Sequence, residues 1–253
     1  EAAAMGVPLN PQDVAFRCNL VTLGARNGRA YMDDFSAGHI PTEESRELIK
    51  KIGETLGSEK FQFYPGVSYR HLLVWRQGER GLTVKTTPPH DISGKEIAEF
   101  LPRGTGQEEV LTLMEKAKGF LPDSPVNQRR RQEGKKPANA IWLWGQGKAP
   151  ALLPMTERFG LRGSVISAVD LMKGIGFYAG LEIIHVPGAT GYLDTNYAGK
   201  AESALREVSR KDFVYVHLEA PDEASHNGNL KDKIRAIEDF DQAIKLNPNY
   251  AAA

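Results

Sequence analysis

The chain has 253 residues, and its 32 Lys and Arg residues balance its 32 Asp and Glu residues, so charge gives no reason to expect a nucleic-acid partner. A hydrophobic content of 41% and a charged content of 25% are ordinary for a soluble globular protein, and no apolar run approaches the roughly 18 residues of a membrane span. The single cysteine, Cys18, excludes an intramolecular disulfide. A lone cysteine suits a reducing compartment, and no charged leader followed by an apolar core is seen. We therefore expect a cytoplasmic location.

The first half of the chain predicts a strand followed by a small α+β unit. The apolar run Val14–Leu23 is typical of a strand. Residues 24–136 are polar overall, with a helix start at Thr42, strands at Phe61–Tyr64 and Tyr69–Arg76, and a helix over about Glu108–Phe120. The stretch 121–137 closes this region. Its prolines and its run Arg129, Arg130 and Arg131 are typical of a solvated linker.

From residue 138 onward, strand patterns alternate with helix patterns. We expect strands at 139–144, 163–167, 182–186 and 212–218, with helices at 150–159, 169–179 and 196–209 between them. Such alternation is typical of βαβ units. The sequence therefore predicts an α/β fold with a mostly parallel sheet flanked by helices, joined to the smaller α+β domain.

Two potential metal ligands follow the strand pattern at 212–218. Asp222 and His226 come just after the helix-breaking Pro221 and are four residues apart. If Pro221 is the first residue of a short helix, both side chains fall on one helix face, where they can share a divalent metal. The alternative is a helix N-terminus with acidic first-turn residues and a surface histidine. The spacing alone favours this alternative.

The surrounding residues resemble a known family. The segment His217–Gly228 is similar to the H-x-x-A-P-D-E-A-x-H-x-G segment of the cofactor-independent phosphoglycerate mutases, in their archaeal-type branch within the alkaline phosphatase superfamily. Further blocks of the chain resemble the same family in the same order: Asp13–Asn19, Ala138–Pro150, Val165–Gly176 and Val186–Lys200. Together the blocks cover roughly residues 1–242.

The resemblance implies an activity and its cofactors. Family members interconvert 2- and 3-phosphoglycerate through a phosphoserine, with two divalent metals, Mn²⁺ or Mg²⁺, and no organic cofactor. It assigns Asp222 and His226 to the metal. The nucleophilic serine, an Asp-Gly metal site and a later Asp and His cluster have no match in this chain, so the catalytic residue is unknown. We expect an incomplete alkaline-phosphatase-like core that is inactive alone.

Five residues are candidates for binding a phosphoglycerate-like small molecule. Arg17 lies on an otherwise apolar strand, where it either contacts the ligand or forms a structural ion pair, and its planar fork suits carboxylate and phosphate oxygens. The resemblance implies that Arg70, His71 and His90 lie near the substrate, although an acidic residue usual before His90 is missing. Arg29 flanks a turn and is either a further contact or simply solvated.

The C-terminal end resembles part of a second family. Residues 236–253 are similar to the second helix of a tetratricopeptide repeat and the Asn-Pro turn after it. Such a tail favours helix-mediated self-association. The alternative is a chance helix end closed by Asn247 and Pro248.

These patterns predict four segments of the chain. They favour one function without excluding two others. We expect an entry segment at 1–23, the inserted α+β substrate-side domain and its linker at 24–136, the phosphatase-like portion at 137–242 and the repeat-like tail at 243–253. Phosphoglycerate mutation is the favoured activity. The alternatives are a non-catalytic fragment or fusion scaffold, or another phosphoryl-transfer enzyme or phosphatase of the superfamily.

Overall fold

The computed structural model describes residues 1–245, and within them the chain forms two compact units. The first comprises residues 8–149, here called the antiparallel unit. The second comprises residues 1–7 and 150–245, here called the parallel unit. None of the helices in the described residues is long and apolar enough to cross a membrane. The repeat-like tail beyond residue 245 lies outside the described residues.

The antiparallel unit is built on one five-stranded sheet. Its strands are β1 (Val14–Arg26), β2 (Arg29–Asp34), β3 (Phe61–Tyr64), β4 (Arg70–Trp75) and β5 (Ala140–Gly147). The spatial order is β2-β1-β4-β3, and β5 pairs with β1 as well. Every one of these pairings is antiparallel. The long strand β1 therefore organises the whole sheet.

Helices α1 (Thr42–Leu56) and α2 (Gln107–Lys118) complete the core of this unit. Leu48, Ile49 and Ile52 of α1 and Val110, Leu113 and Met114 of α2 are buried in one apolar cluster with Phe16, Cys18 and Leu20 of β1. From Val14 to Leu20 the β1 positions in that cluster alternate, as expected for a strand with one face on the core. The β1 side chains between these core residues therefore lie on the other face of the sheet.

The predicted linker at 121–137 is partly wrong, because it contains the helix α3 (Pro125–Gln132). Ser124 caps its N-terminus by accepting a hydrogen bond from the Asn127 amide, and Pro125 starts the first turn. Arg130, predicted to be solvated, is only 2% exposed and pairs with Glu44 at 2.5 Å. Its guanidinium also donates to the carbonyl oxygens of Ala37 and Lys136.

The parallel unit contains a three-stranded sheet in the order β7-β6-β8. Its strands are β6 (Gly163–Ile166), β7 (Glu182–Ile184) and β8 (Phe213–Val216), and both pairings are parallel. The helices are α4 (Met155–Phe159), α5 (Asp170–Tyr178), α6 (Tyr197–Val208), α7 (Ala220–His226) and α8 (Leu230–Lys245). The predicted βαβ units at 163–218 agree with these bounds, whereas the helix predicted at 150–159 is reduced to α4.

The prediction of a mostly parallel sheet is wrong for the chain as a whole. The strand predicted at 139–144 is β5, and β5 pairs antiparallel with β1 instead of joining β6. Ile141, Trp142 and Leu143 are all buried. A continuous apolar run indicates that both faces of the strand are buried, but it does not indicate whether the strand is parallel or antiparallel. The structural boundary accordingly falls at 149/150, whereas the predicted segments divided at 23/24 and 136/137.

Candidate functional site

A basic and aromatic cluster lies on one face of the antiparallel sheet. The Arg17 guanidinium carbon is 4.6 Å from the centroid of the Trp144 ring, and the His90 ring centroid lies 5.4 Å from the same ring. The Arg70 guanidinium carbon is 4.4 Å from the centroid of the Tyr69 ring. Stacking on aromatic rings holds an arginine fork of N–H donors in a fixed direction.

Strand register places these residues. Arg17 of β1 is opposite Leu72 of β4 and Trp144 of β5, while Asn19 is opposite Arg70. Residues two apart on a strand share a face, so Arg17, Asn19 and Arg70 point the same way. The Trp144 indole N–H donates to the Asn19 side-chain oxygen at 3.0 Å, which fixes the ring under Arg17.

Two further contacts define this cluster. Phe35 joins its two ends, with ring centroids 6.1 Å from His90 and 5.7 Å from Tyr69. Gly145 follows Trp144 with φ +58°, and a Cβ there would lie 3.3 Å from Cδ of Arg17. A glycine at this position therefore suits both the left-handed backbone and the space that the Arg17 side chain needs.

His71 does not join the cluster. It is opposite Cys18, on the other face of the sheet, because successive strand residues point in opposite directions. Its side chain is buried, its Nδ1 accepts the Gly66 amide at 3.0 Å, and burial lowers its pKa to about 3. The sequence pattern grouped Arg70 with His71, but the pleat of β4 places their side chains on opposite faces of the sheet.

Arg29 also lies apart from the cluster. Its guanidinium pairs with Glu96 at 3.0 Å, and its side chain is 65% exposed. This is the solvated alternative for Arg29. Of the five predicted substrate residues, the structure brings together Arg17, Arg70 and His90. Trp144, Tyr69 and Phe35 were missed because aromatic residues of a sheet are as readily explained by packing.

In the parallel unit, Asp222 and His226 lie on one face of α7. The helix begins at Ala220, four residues after β8 ends, so Pro221 is its second residue and not, as the sequence suggested, its first. The His226 Nε2 and the Asp222 Oδ2 are 3.4 Å apart, and the two side chains are 39% and 65% exposed. A carboxylate and an imidazole at this distance can contact one ion, since ligand bonds are about 2–2.6 Å long.

The pair is not a complete metal site by itself. Across residues 1–245, no group of three or more His, Cys, Asp or Glu side chains is placed to hold an ion. The donor types fit a divalent cation, one hard oxygen and one imidazole nitrogen, but two ligands leave most positions of a six-coordinate ion to water. These residues therefore fit part of a metal centre.

A second polar cluster lies at the carboxyl ends of β6 and β8. The Ser167 Oγ is 3.2 Å from the His217 Nδ1, and the His217 Nε2 is 3.3 Å from a Glu219 carboxylate oxygen. A carboxylate oxygen only accepts, so in a neutral imidazole Nε2 carries the proton and Nδ1 is an acceptor that faces the Ser167 hydroxyl. The same hydroxyl also lies 3.4 Å from the Val169 carbonyl oxygen, to which it can donate. The Lys200 ammonium donates to the His217 carbonyl oxygen at 3.2 Å.

Burial and neighbouring charges set the pKa values in this cluster. Burial lowers the pKa of His217, the Lys200 charge lowers it further, and the Asp222 charge opposes both. Burial also lowers the pKa of Lys200, while the Glu219 charge opposes the shift. The charge of Asp222 therefore acts on His217 in this cluster. Sequence reasoning missed Lys200 and Ser167, because only the fold brings them to His217.

Comparison with known proteins gives the family. The family described as 2,3-bisphosphoglycerate-independent phosphoglycerate mutase matches residues 1–127. The Metalloenzyme superfamily matches residues 71–246, which includes the Asp222 and His226 pair. Together the two matches cover nearly the whole chain. The chain belongs to the 2,3-bisphosphoglycerate-independent phosphoglycerate mutase family.

Individual relatives of the mutase family agree. A probable 2,3-bisphosphoglycerate-independent phosphoglycerate mutase of Geobacter sulfurreducens is 57% identical over 244 residues, which are 96% of this chain and 61% of that protein. The enzyme of the same name from Methanosarcina barkeri is 54% identical, over 96% of this chain and 60% of its own length. The chain therefore spans about three fifths of the curated relatives that it matches.

Solved structures show the same partial coverage. The PH0037 protein of Pyrococcus horikoshii has a TM-score of 0.68 at 26% identity and is matched over 98% of this chain and 58% of its own. The cofactor-independent phosphoglycerate mutase of Thermoplasma acidophilum has a TM-score of 0.50 at 28% identity, over 97% of this chain and 63% of its own. Membership of the mutase family and of the metalloenzyme superfamily implies dependence on a divalent metal.

Proposed function

We propose that this chain carries the glycerate-binding unit and part of the metal centre of a phosphoglycerate mutase. The reaction is the interconversion of 2- and 3-phosphoglycerate through a phosphoserine, with two divalent metals, Mn²⁺ or Mg²⁺, in the complete centre. The observation that carries the proposal is the 3.4 Å approach of Asp222 and His226 on α7, within the segment that matches the metalloenzyme superfamily.

Arg17, Arg70 and His90 hold the glycerate part of the ligand in this proposal. A phosphoglycerate carries a carboxylate and a phosphate, and arginine meets two such oxygens at once with parallel N–H donors. The aromatic rings beneath Arg17 and Arg70, at 4.6 and 4.4 Å, restrict the orientation of both guanidinium groups. His71 and Arg29 are not assigned a contact, since one is buried on the other face and the other is ion-paired.

Asp222 and His226 hold one divalent metal in this proposal. When bound, such a metal lowers the barrier to phosphoryl transfer by neutralising developing oxygen charge and activating the attacking hydroxyl. The chain's own contribution is to present one carboxylate and one imidazole on the rigid first turns of α7. The remaining ligands and the nucleophilic serine are not assigned to this chain.

A chimera tests the proposal. This chain replaces the matching 61% of the Geobacter sulfurreducens relative, and formation of 2-phosphoglycerate is followed by coupling to enolase. We expect turnover with Mn²⁺, lost in both Asp222→Ala and His226→Ala. Arg17→Ala should raise KM at least about tenfold, because a charged hydrogen-bond pair is lost, whereas Arg29→Ala should change it by less than about twofold. A folded chimera without turnover would contradict the proposal.

The second candidate is a non-catalytic scaffold. It is favoured by the lack of any group of three metal-ligating side chains among the described residues. The same enolase assay applied to this chain alone tests whether its site is complete, and the chimera separates the two candidates. We expect no turnover above background, even with added Mn²⁺. Turnover that disappears in Asp222→Ala and His226→Ala would mean that the chain holds a complete site.

A further inference from the structure

Helix α8 carries apolar side chains on two of its faces. On the inner face Ala236 is fully buried, where α8 packs against α6 and α7. On the outer face the side chains of Leu230, Ile234 and Ile237 are 69%, 47% and 52% exposed. A helix that only covers its own domain has one apolar stripe and a polar face opposite to it. The outer apolar residues of α8 therefore lie where no part of the described chain covers them.

The spacing of these residues is typical of a helix that packs along another helix. Leu230, Ile237 and Ile244 follow each other at intervals of seven residues, and Ile234 lies one turn from the first two. Residues at such intervals form a narrow seam along one side of a helix, here called the outer seam. Ile244 also lines an apolar groove between α6, β8 and α8, together with Tyr215. The outer seam thus continues into this groove.

The charges of α8 are divided between its two halves. Residues 230–237 carry three basic side chains and one acidic side chain, whereas residues 238–245 carry three acidic side chains and one basic side chain. The helix dipole does not explain this division, because it favours acidic residues in the first turn, where Lys231 and Lys233 outnumber Asp232. Two such helices attract each other along their whole length only when they run in opposite directions.

We propose that the outer seam is a docking surface for a second copy of this chain, with the two α8 helices packed antiparallel about a twofold axis. The midpoint of α8 lies between Ile237 and Glu238, so full overlap brings Ile237 of each copy close to the axis. Leu230 of one copy then reaches the Ile244 end of the other, and each basic half faces an acidic half. Such a surface is self-complementary, as a twofold interface requires.

Sedimentation equilibrium of the whole chain tests this association. We expect the average mass to rise from that of a monomer to that of a dimer as the concentration increases, with no larger species, because a twofold interface closes on itself. Higher salt should weaken the dimer, since it screens the attraction between exposed charges. A monomer at every concentration, or association that strengthens with salt, would overturn the proposal.

Two matched substitutions test whether the outer seam is the contact. Ile237→Asp should weaken the dimer at least about tenfold, because an apolar contact near the axis is replaced by two like charges. Ile175→Asp, at an isoleucine of α5 that is 48% exposed, should leave the dimer unchanged. Circular dichroism checks that both variants are folded. A dimer that survives Ile237→Asp, or that is lost equally in Ile175→Asp, would overturn the proposal.

A pair of charge reversals tests the antiparallel match. One variant carries Lys231→Glu and Arg235→Glu, and the other carries Glu238→Lys and Asp241→Lys, all at exposed positions. Each variant alone should associate at least about tenfold more weakly, because like charges then face each other, and an equimolar mixture should restore the dimer. A mixture that stays as weak as its components would overturn the proposal. If Ile237→Asp does not fold, this mixture decides alone.

The chimera with the Geobacter sulfurreducens relative distinguishes a second copy from another occupant of the outer seam. We expect the chimera to form the same dimer, which Ile237→Asp weakens. A monomeric chimera would mean that another segment of the mutase covers the seam, and it would overturn the proposal. This interface does not rest on the proposed function. An inactive chimera that dimerises would retain the interface and remove the mutase assignment, and an active monomeric chimera would do the reverse.

Discussion

His71 illustrates how one residue position separates neighbouring side chains. Arg70 and His71 are adjacent in sequence, but the strand pleat sends Arg70 to the Trp144 side and His71 to the other face, where it is buried. An imidazole in the core is expected to stay neutral, and burial indeed lowers its pKa to about 3. The same burial makes His71 a source of acid sensitivity for the antiparallel unit.

We predict a pH dependence of stability from His71. Its pKa is depressed in the folded state, so the unfolded state binds the proton first as pH falls below 6.5, and stability decreases until about pH 3. His71→Asn keeps an acceptor for the Gly66 amide and does not titrate. Urea unfolding followed by tryptophan fluorescence reports on this unit, since Trp75, Trp142 and Trp144 all lie in it. Identical slopes between pH 6.5 and 3 for wild type and variant would refute this assignment.

At the residue scale, the sequence predicted some of the contacts in the candidate sites and missed others. Asp222 and His226 could be paired from their spacing, because i and i+4 positions of a helix are neighbours. Lys200 and Ser167 could not, since their approach to His217 depends on the pairing of β6 with β8 and on the packing of α6. Local spacing predicts contacts within one element, and contacts between elements need the fold.

At the scale of elements, the alternation after residue 160 was sufficient to predict β6, α5, β7, α6 and β8 close to their observed bounds. The direction of β5 was not predictable in the same way, because an uninterrupted apolar run looks identical in a parallel and an antiparallel strand. The helix α3 was missed for another reason. Its composition is that of a linker, and its Arg130 pairs with Glu44, which is 86 residues away in the sequence.

We predict a large difference between two adjacent arginines of α3. Arg130→Ala should lower the free energy of unfolding by about 3 kcal/mol, because it leaves Glu44 and the Ala37 carbonyl without their partner. Arg131→Ala, at an exposed position of the same helix, should change it by less than about 0.5 kcal/mol. Chemical denaturation of both variants measures this difference. Equal effects would mean that the Arg130 ion pair contributes nothing.

At the scale of the whole molecule, β5 determines where the antiparallel unit ends. It lies after the predicted boundary at 136/137, yet it pairs with β1 along six residue positions of that strand's length. Ala140, Ile141, Trp142 and Leu143 are buried there. The unit at 8–149 therefore contains all five strands of its own sheet, which is the condition for independent folding.

We predict that residues 8–149 fold cooperatively as a separate protein. A version that stops at residue 136 lacks β5 and should remain largely unfolded, because the buried residues of β1 would lose their covering strand. Circular dichroism and urea unfolding compare the two lengths. Cooperative unfolding of the shorter version with the same midpoint would show that the boundary at 136/137 is the correct one.

The central claim concerns the metal, and Mn²⁺ titration followed by electron paramagnetic resonance tests it most directly. For this chain we predict one weak site, with a Kd on the order of a millimolar or weaker, because Asp222 and His226 leave most coordination positions to water. Asp222→Ala and His226→Ala should each abolish it, whereas Asp241→Ala, at an exposed carboxylate of α8, should not. Mn²⁺ binding that survives both Asp222→Ala and His226→Ala would contradict the account.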